Sequence, residues 1–164
     1  MAPEHGISEL PRRMLFPGLI FIILGLLYLT SQYSYLLFHS IAEIFSVVVA
    51  FGIFMLAWSS RRFLDNNSLL FIGIAYLFVG MLDILHTLAY KGMGVFAGYD
   101  ANLPTQLWIA ARYMQSFSLL LAPAFVTRPL RPGAVLTAYA AVTALLFAAI
   151  FVWPVFPARF IEGS

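Results

Sequence analysis

Five ionisable side chains sit where the surrounding sequence is almost pure hydrocarbon: His39, Glu43, Asp83, His86 and Arg112. His39 and Glu43 are four residues apart in FHSIAEIF, and Asp83 and His86 are three apart in LDILH. On a helix both spacings place the pair on one face. Two imidazoles and two carboxylates make a donor set for zinc, iron, manganese or copper. His39, Glu43, Asp83 and His86 are therefore the candidate metal ligands. Arg112, with Tyr113 and Gln115 close behind it, supplies a guanidinium that would pair with a carboxylate or hold an anionic ligand. Those three are the candidate ligand-binding residues. Two carboxylates against one guanidinium leave residual negative charge, which low dielectric requires a proton or a metal ion to neutralise.

Other chemistry fits the same residues. His39 and His86 on neighbouring helices would serve as axial ligands of a haem b, although such a haem has no need of the carboxylates. A small organic ligand is a further alternative. Without any ligand, the same side chains would close into a salt-bridge network that sets helix register. An intramembrane metalloenzyme would use Glu43 as general base beside a metal-bound water, but the sequence lacks His-Glu-x-x-His. His5, in the amino-terminal tail, reads as solvated.

The elements that must position these residues follow from composition. The chain of 164 residues is 62% hydrophobic and 10% charged, against roughly 25% charged in a soluble domain. Its mean hydropathy is +0.92. Sixteen phenylalanines leave too little polar surface to cover a globule in water. The expected class is an all-α, polytopic bundle of about five membrane helices in the lipid bilayer. Cysteine is absent, which excludes disulfides and thiolate chemistry. The net charge of +2 and the scatter of arginines near helix ends exclude a nucleic-acid surface.

Apolar runs and their breaks predict helices over 14–31, 33–59, 68–90, 104–126 and 134–153. Residues 1–13 read as a cytoplasmic tail and 14–164 as the membrane domain. Pro17 is expected in the first turn of its helix, and Asn67 or Ser68 as the cap of the third. TSQYS reads as a tight turn, and SSRRFLDNN, with Asp65, as a charged loop. KGMGVFAGYDANLP is a longer loop that either folds over the site or merely connects. Pro123 is expected to kink or end the fourth helix and Pro154 to close the fifth. Arg12, Arg13, Arg61, Arg62, Arg128 and Arg131 fall on one side, against Lys91 and Arg159 on the other, which places the amino terminus in the cytoplasm. Five crossings leave the carboxyl end outside, so a further crossing is expected beyond residue 164. Ala134, Ala138, Ala141, Ala144 and Ala148 predict a close helix-packing seam.

This arrangement gathers the polar groups at one depth. Counting inward at the helical rise, His86 lies about 6 Å, His39 about 9 Å, Asp83 about 10 Å, Arg112 about 12 Å and Glu43 about 15 Å from the outer surface. The inner halves are nearly pure hydrocarbon and offer no relay for a carrier or proton path. Intramembrane ionisable residues are costly and usually functional.

The stretches FHSIAEIFSVVVAFGIFMLAW, GIAYLFVGMLDILHTLAYKGMGVF and LPTQLWIAARYMQSFSLLLAP resemble the membrane-associated sensor (MASE) domain of the third type. The resemblance runs from about residue 15 onward and is carried by His39, Glu43, the LDILH segment and Trp108 through Gln115. It implies a sensory input module of the bacterial inner membrane, the amino-terminal part of a histidine kinase or diguanylate cyclase, and so a place in two-component or cyclic-di-GMP signalling. The cytoplasmic output domain would follow in the same polypeptide, and a homodimer is a possible assembly. No catalysis is expected of the fragment itself.

Overall fold

The computed structural model describes residues 9–63, 66–153 and 155–157. His5, Asp65, Pro154 and Arg159, each given a part above, lie outside the described residues. Five α-helices follow one another: α1 (Glu9–Tyr33), α2 (Tyr35–Ser60), α3 (Asn67–Ala89), α4 (Asn102–Leu121) and α5 (Pro132–Phe147). No strand occurs among the described residues. A 3₁₀ turn (Ala122–Phe125) continues α4, and a π-helical turn (Ala148–Val152) continues α5. The chain divides into two compact units, Met1–Ala42 and Glu43–Ser164.

The first unit holds α1 and the first turns of α2. α1 starts at Glu9, inside the segment expected as tail, so Pro17 stands in the helix interior rather than in its first turn. A proline there removes one backbone hydrogen bond, a loss that membrane helices accommodate. Only Ser34 separates α1 from α2, a shorter break than TSQYS suggested. Its hydroxyl accepts from the Leu37 N–H at 3.3 Å and so satisfies one orphan donor of the new helix.

In the second unit α3 is the central element. It contributes Leu70, Ile74, Phe78, Val79 and Leu82 to the core, where Leu103, Leu107, Ala110, Ala111 and Met114 of α4 meet them. The cap of α3 is Asn66, whose Oδ1 accepts from the Ser68 N–H at 2.9 Å. Asn67 instead donates its side-chain amide to the Arg128 carbonyl at 3.0 Å. That bond ties the α2–α3 loop to the α4–α5 loop at one end of the unit. At the other end Gln106, in the first turns of α4, donates to the Phe156 carbonyl at 3.1 Å. Helices α3, α4 and α5 therefore alternate in direction. Pro123 ends α4 as expected, because it has no N–H to continue the ladder.

Among the described residues four helices are long and apolar enough to cross a membrane: α1, α2, α3 and α5 with its π turn. α4 falls short of that criterion. Its twenty residues include Thr105, Gln106, Arg112 and Gln115, which dilute its hydropathy. The alanine series on α5 does not form a seam with another helix of this chain. Ala134, Ala138, Ala141 and Ala144 are all exposed.

A real seam runs between α2 and α3. A Cβ placed on Gly73 would lie 2.5 Å from the Ala57 Cβ, and one on Gly80 would lie 3.3 Å from that of Ala50. Both pairs are seven residues apart on their helices, so the contact repeats every two turns of an antiparallel pair. Loop 91–101 closes the other end of α3. Gly92, Gly94 and Gly98 take positive φ, which only glycine adopts without strain. Phe96 and Tyr99 pack their rings on Phe151, so the loop is docked by its aromatics. Asp100 accepts from the backbone and side-chain N–H groups of Asn102, both at 2.9 Å.

Two predictions follow from these contacts. Gly73→Ala should destabilise the protein by about 1–3 kcal/mol through overpacking, and Ala57→Gly in the same chain should restore most of the loss; thermal unfolding in lipid nanodiscs checks both. The Asn102 side chain, then the Asn102 backbone N–H, hold the Asp100 carboxyl below its ordinary value of 3.8. The stabilisation this gives is present above 3.8 and is lost as pH falls through the depressed folded value. Amide protection at the start of α4 should show that dependence, and Asp100→Ala should abolish it.

Candidate functional site

The α2–α3 seam sets the register of the polar residues. Seven residues before Ala50 on α2 comes Glu43, and seven beyond Gly80 on α3 comes Thr87. The same close approach therefore carries Glu43 to the last turns of α3. There its Oε1 stands 3.9 Å from His86 Nε2, with side-chain exposures of 19% and 7%. That gap is too long for a hydrogen bond.

His86 is held from its other side. Its Nδ1 lies 2.8 Å from the carbonyl oxygen of Pro104, in the first turn of α4. A carbonyl only accepts, so Nδ1 carries the proton and donates. In the neutral imidazole this leaves the lone pair on Nε2, the atom that faces Glu43. Fixing a histidine by a backbone carbonyl so that its other nitrogen presents a lone pair is the arrangement found behind metal-ligating imidazoles.

Three residues earlier, Asp83 turns to α4. Arg112 donates to both carboxylate oxygens, at 2.6 Å for Oδ1. The Asp83 side chain is 4% exposed and that of Arg112 36%. Arg112 also donates from Nη1 to Gln115 Oε1 at 2.7 Å. Since a guanidinium cannot accept, the Gln115 oxygen must point to it, and the amide nitrogen then donates to the Tyr76 hydroxyl at 3.0 Å. The result is a continuous network, Asp83–Arg112–Gln115–Tyr76, joining α3 to α4. A crevice of about 210 Å³ beside it is lined by Ser46, Val49 and Ala50 of α2 together with Tyr76, Asp83, Arg112 and Gln115.

The structure thus brings Glu43 to His86 and Asp83 to Arg112 and Gln115. Asp83 is engaged by Arg112 rather than presented to Glu43 and His86. His39 occupies α2 one turn before Glu43, and its ring stacks on Tyr35 at 6.1 Å. Tyr113 does not join the network. It sits one residue past Arg112, about 100° further round α4, and is exposed on the side that faces α5.

Two participants escaped the sequence reading. Tyr76 lies seven residues before Asp83, two turns along the same face of α3, and a heptad count from Asp83 would have found it. The Pro104 carbonyl is a backbone atom, and no side-chain pattern announces it.

Comparison with known families supplies a match. The MASE3 family, a membrane-associated sensor domain, matches residues 30–164. The chain belongs to this family. Neither curated proteins nor solved structures give a significant match. The MASE3 match, together with the apolar helices, makes the chain a multi-pass membrane protein with a sensory role. It begins at residue 30, so most of α1 precedes it.

In the MASE3 domain the Asp83–Arg112 pair is expected to be unforgiving. Arg112→Ala strands a buried carboxylate and should cost about 3–5 kcal/mol. The double variant Asp83→Leu with Arg112→Met removes both charges and should recover most of that. Tyr76→Phe should cost only about 1 kcal/mol, the worth of one hydrogen bond. Unfolding midpoints of the purified domain in lipid measure all three.

Proposed function

We propose that this MASE3 domain is the sensory input module of a bacterial inner-membrane signalling protein and that its stimulus is a metal ion held by His86 Nε2 and Glu43. The observation that carries it is the Nδ1 hydrogen bond to Pro104, which directs a lone pair toward a carboxylate at 3.9 Å. An ion about 2.0–2.2 Å from each of a nitrogen and an oxygen donor spans such a gap. Zinc, iron, manganese and copper all accept this donor set. The chemistry needed is binding alone; catalysis belongs to a kinase or diguanylate cyclase output domain.

The amino terminus is cytoplasmic in this reading. The Asn67–Arg128 hydrogen bond supports it, because it brings the loop of Arg61 and Arg62 to the same end as the loop of Arg128 and Arg131. That end then carries the positive charge that marks a cytoplasmic face. The binding pair lies toward the opposite, outer end. Metal binding at the α2–α3 contact would act on α4 through the Pro104 carbonyl, and it signals only by favouring one helix packing over another.

A purely structural role has its own support in the closed Asp83–Arg112–Gln115–Tyr76 network, which ties α3 to α4 without any ligand. The haem reading draws less, since iron at His86 Nε2 would have to displace the Glu43 carboxylate.

Elemental analysis of the purified domain after metal loading and desalting tests the proposal. About one ion per chain is expected in the wild type. His86→Ala should abolish it, Glu43→Gln should weaken it, and Gln115→Ala should leave it intact. A wild-type domain that retains no stoichiometric metal would refute the metal site and leave the network as scaffold.

A further inference from the structure

Arginines gather at one end of the second unit. Arg61 and Arg62 follow the last residue of α2, and Arg128 and Arg131 stand in the loop that enters α5. The hydrogen bond from the Asn67 amide to the Arg128 carbonyl brings the two loops together. All four arginines are exposed. Among the described residues none of them is paired with an acid. Asp65 is the one acidic residue in the sequence of the two loops, so positive charge is in excess here. At the opposite end, loop 91–101 carries Lys91 and Asp100, which balance. Helix dipoles do not alter the contrast, because α3 and α5 begin at the arginine end while α2 and α4 finish there and their terminal partial charges offset.

The position of this surface in the fold decides what it meets. Arg61 and Arg131 directly adjoin the candidate membrane spans Tyr35–Ser60 and Pro132–Val152. The arginines therefore stand at the level where hydrocarbon gives way to phosphate. Arg61 is folded back along that boundary. Its Nη1 donates to the Trp58 carbonyl at 2.6 Å, and its guanidinium lies 4.6 Å from the centroid of the Trp58 ring. Trp58 packs against the core, as does Leu130 between the other two arginines, so both loops are anchored. Phe63, next to Arg62, is 86% exposed. A phenyl ring in that position is unfavourable in water and well placed in the interface of a bilayer. This favours lipid over an aqueous partner.

We infer that Arg61, Arg62, Arg128 and Arg131 form a recognition surface for the headgroup of an anionic phospholipid. A guanidinium pairs with a phosphate through two parallel hydrogen bonds, and basic clusters at the ends of membrane helices attract anionic lipids. A zwitterionic headgroup would bring its own ammonium among the arginines. A headgroup of net negative charge instead relieves their mutual repulsion, so the surface selects by headgroup charge. Since the arginines come from both loops, the lipid adds a second tie between them beside the Asn67–Arg128 bond. No residue is shared with the Glu43–His86 pair, so the surface stands or falls separately from the metal reading.

The test places the purified domain in phosphatidylcholine nanodiscs with a trace of spin-labelled phosphatidylglycerol or spin-labelled phosphatidylcholine. Electron paramagnetic resonance then reads the share of each lipid held at the protein surface. The wild type is expected to hold phosphatidylglycerol about fivefold more strongly, the equivalent of one arginine's attraction to an anionic surface, and added salt should shrink the preference. Arg128→Gln with Arg131→Gln should lower it, and adding Arg61→Gln and Arg62→Gln should bring the ratio to about one. Lys91→Gln, at the opposite end, should leave it unchanged. Equal retention of the two lipids by the wild type would overturn the proposal. So would a preference that survives the fourfold variant or falls as far with Lys91→Gln. Inorganic phosphate that removes the preference at an ionic strength where chloride does not would reveal a site for the free ion and overturn the lipid assignment. Quantitative disulfide crosslinking of an Arg128→Cys chain to a second copy would also overturn it, because protein would then cover the loops.

Discussion

A carboxylate in hydrocarbon has no water to return to, and this constraint organises the second unit of the domain. Asp83 is almost wholly enclosed, on the most buried helix of the bundle. Its charge is tolerable because Arg112 meets it with two donors and because Gln115 and Tyr76 extend the hydrogen bonding. A paired charge of this kind adds little net stability compared with a well-packed apolar pair, yet breaking it is costly. It therefore fixes which face of α4 meets α3. Once that face is fixed, Pro104 lies against His86 and the apolar face with Ala110 and Phe117 is turned toward α5.

The small-residue seam does the corresponding task for α2. Without water there is no hydrophobic drive to bring two apolar helices together, so association rests on close packing and hydrogen bonds. Gly73 and Gly80 allow α3 to approach Ala57 and Ala50. A slip of one residue would rotate Glu43 by about 100° away from His86. The register is thus set by residues with no chemistry of their own, at a distance of one to four turns from those that have it.

Much of this was legible in the sequence because bilayers permit few solutions. The five helices lie close to the apolar runs, and Pro123 acts through a local rule, while the cap of α3 is Asn66 rather than the expected Asn67 or Ser68. Charge and depth put Arg112 beside a carboxylate without saying which, and Asp83, expected among the metal ligands, is the one that it engages. What was hidden depended on contacts that depth does not encode. Tyr113 was grouped with Arg112 by adjacency, but neighbours on a helix point in different directions. The alanines of α5 carry the pattern of a packing seam, while the structure leaves Ala134 and Ala138 bordering a groove and Ala141 and Ala144 exposed. Tyr76 looked like one more aromatic residue in an apolar helix until its hydroxyl was seen to end a chain of hydrogen bonds.

α4 unites these features. It is the least apolar of the five helices and falls short as a spanning segment by composition, for a physical reason: its polar residues serve two neighbours. Arg112 and Gln115 face α3 and the crevice beside α2, its first turn offers a backbone carbonyl to His86, and the face bearing Tyr113 and Phe117 borders the α4–α5 cavity. A helix held by directional polar bonds as well as apolar packing has fewer alternative positions, and moving between them exchanges whole hydrogen bonds as well as sliding apolar surface. Shifting such an equilibrium from 1:99 to 99:1 takes about 5.5 kcal/mol of differential binding, which is comparable to a few charge-assisted hydrogen bonds. A single ligand bound beside α4 can supply a difference of that order only if it engages the same polar groups that hold the helix. His86, through its hydrogen bond to the Pro104 carbonyl, makes one such link to α4.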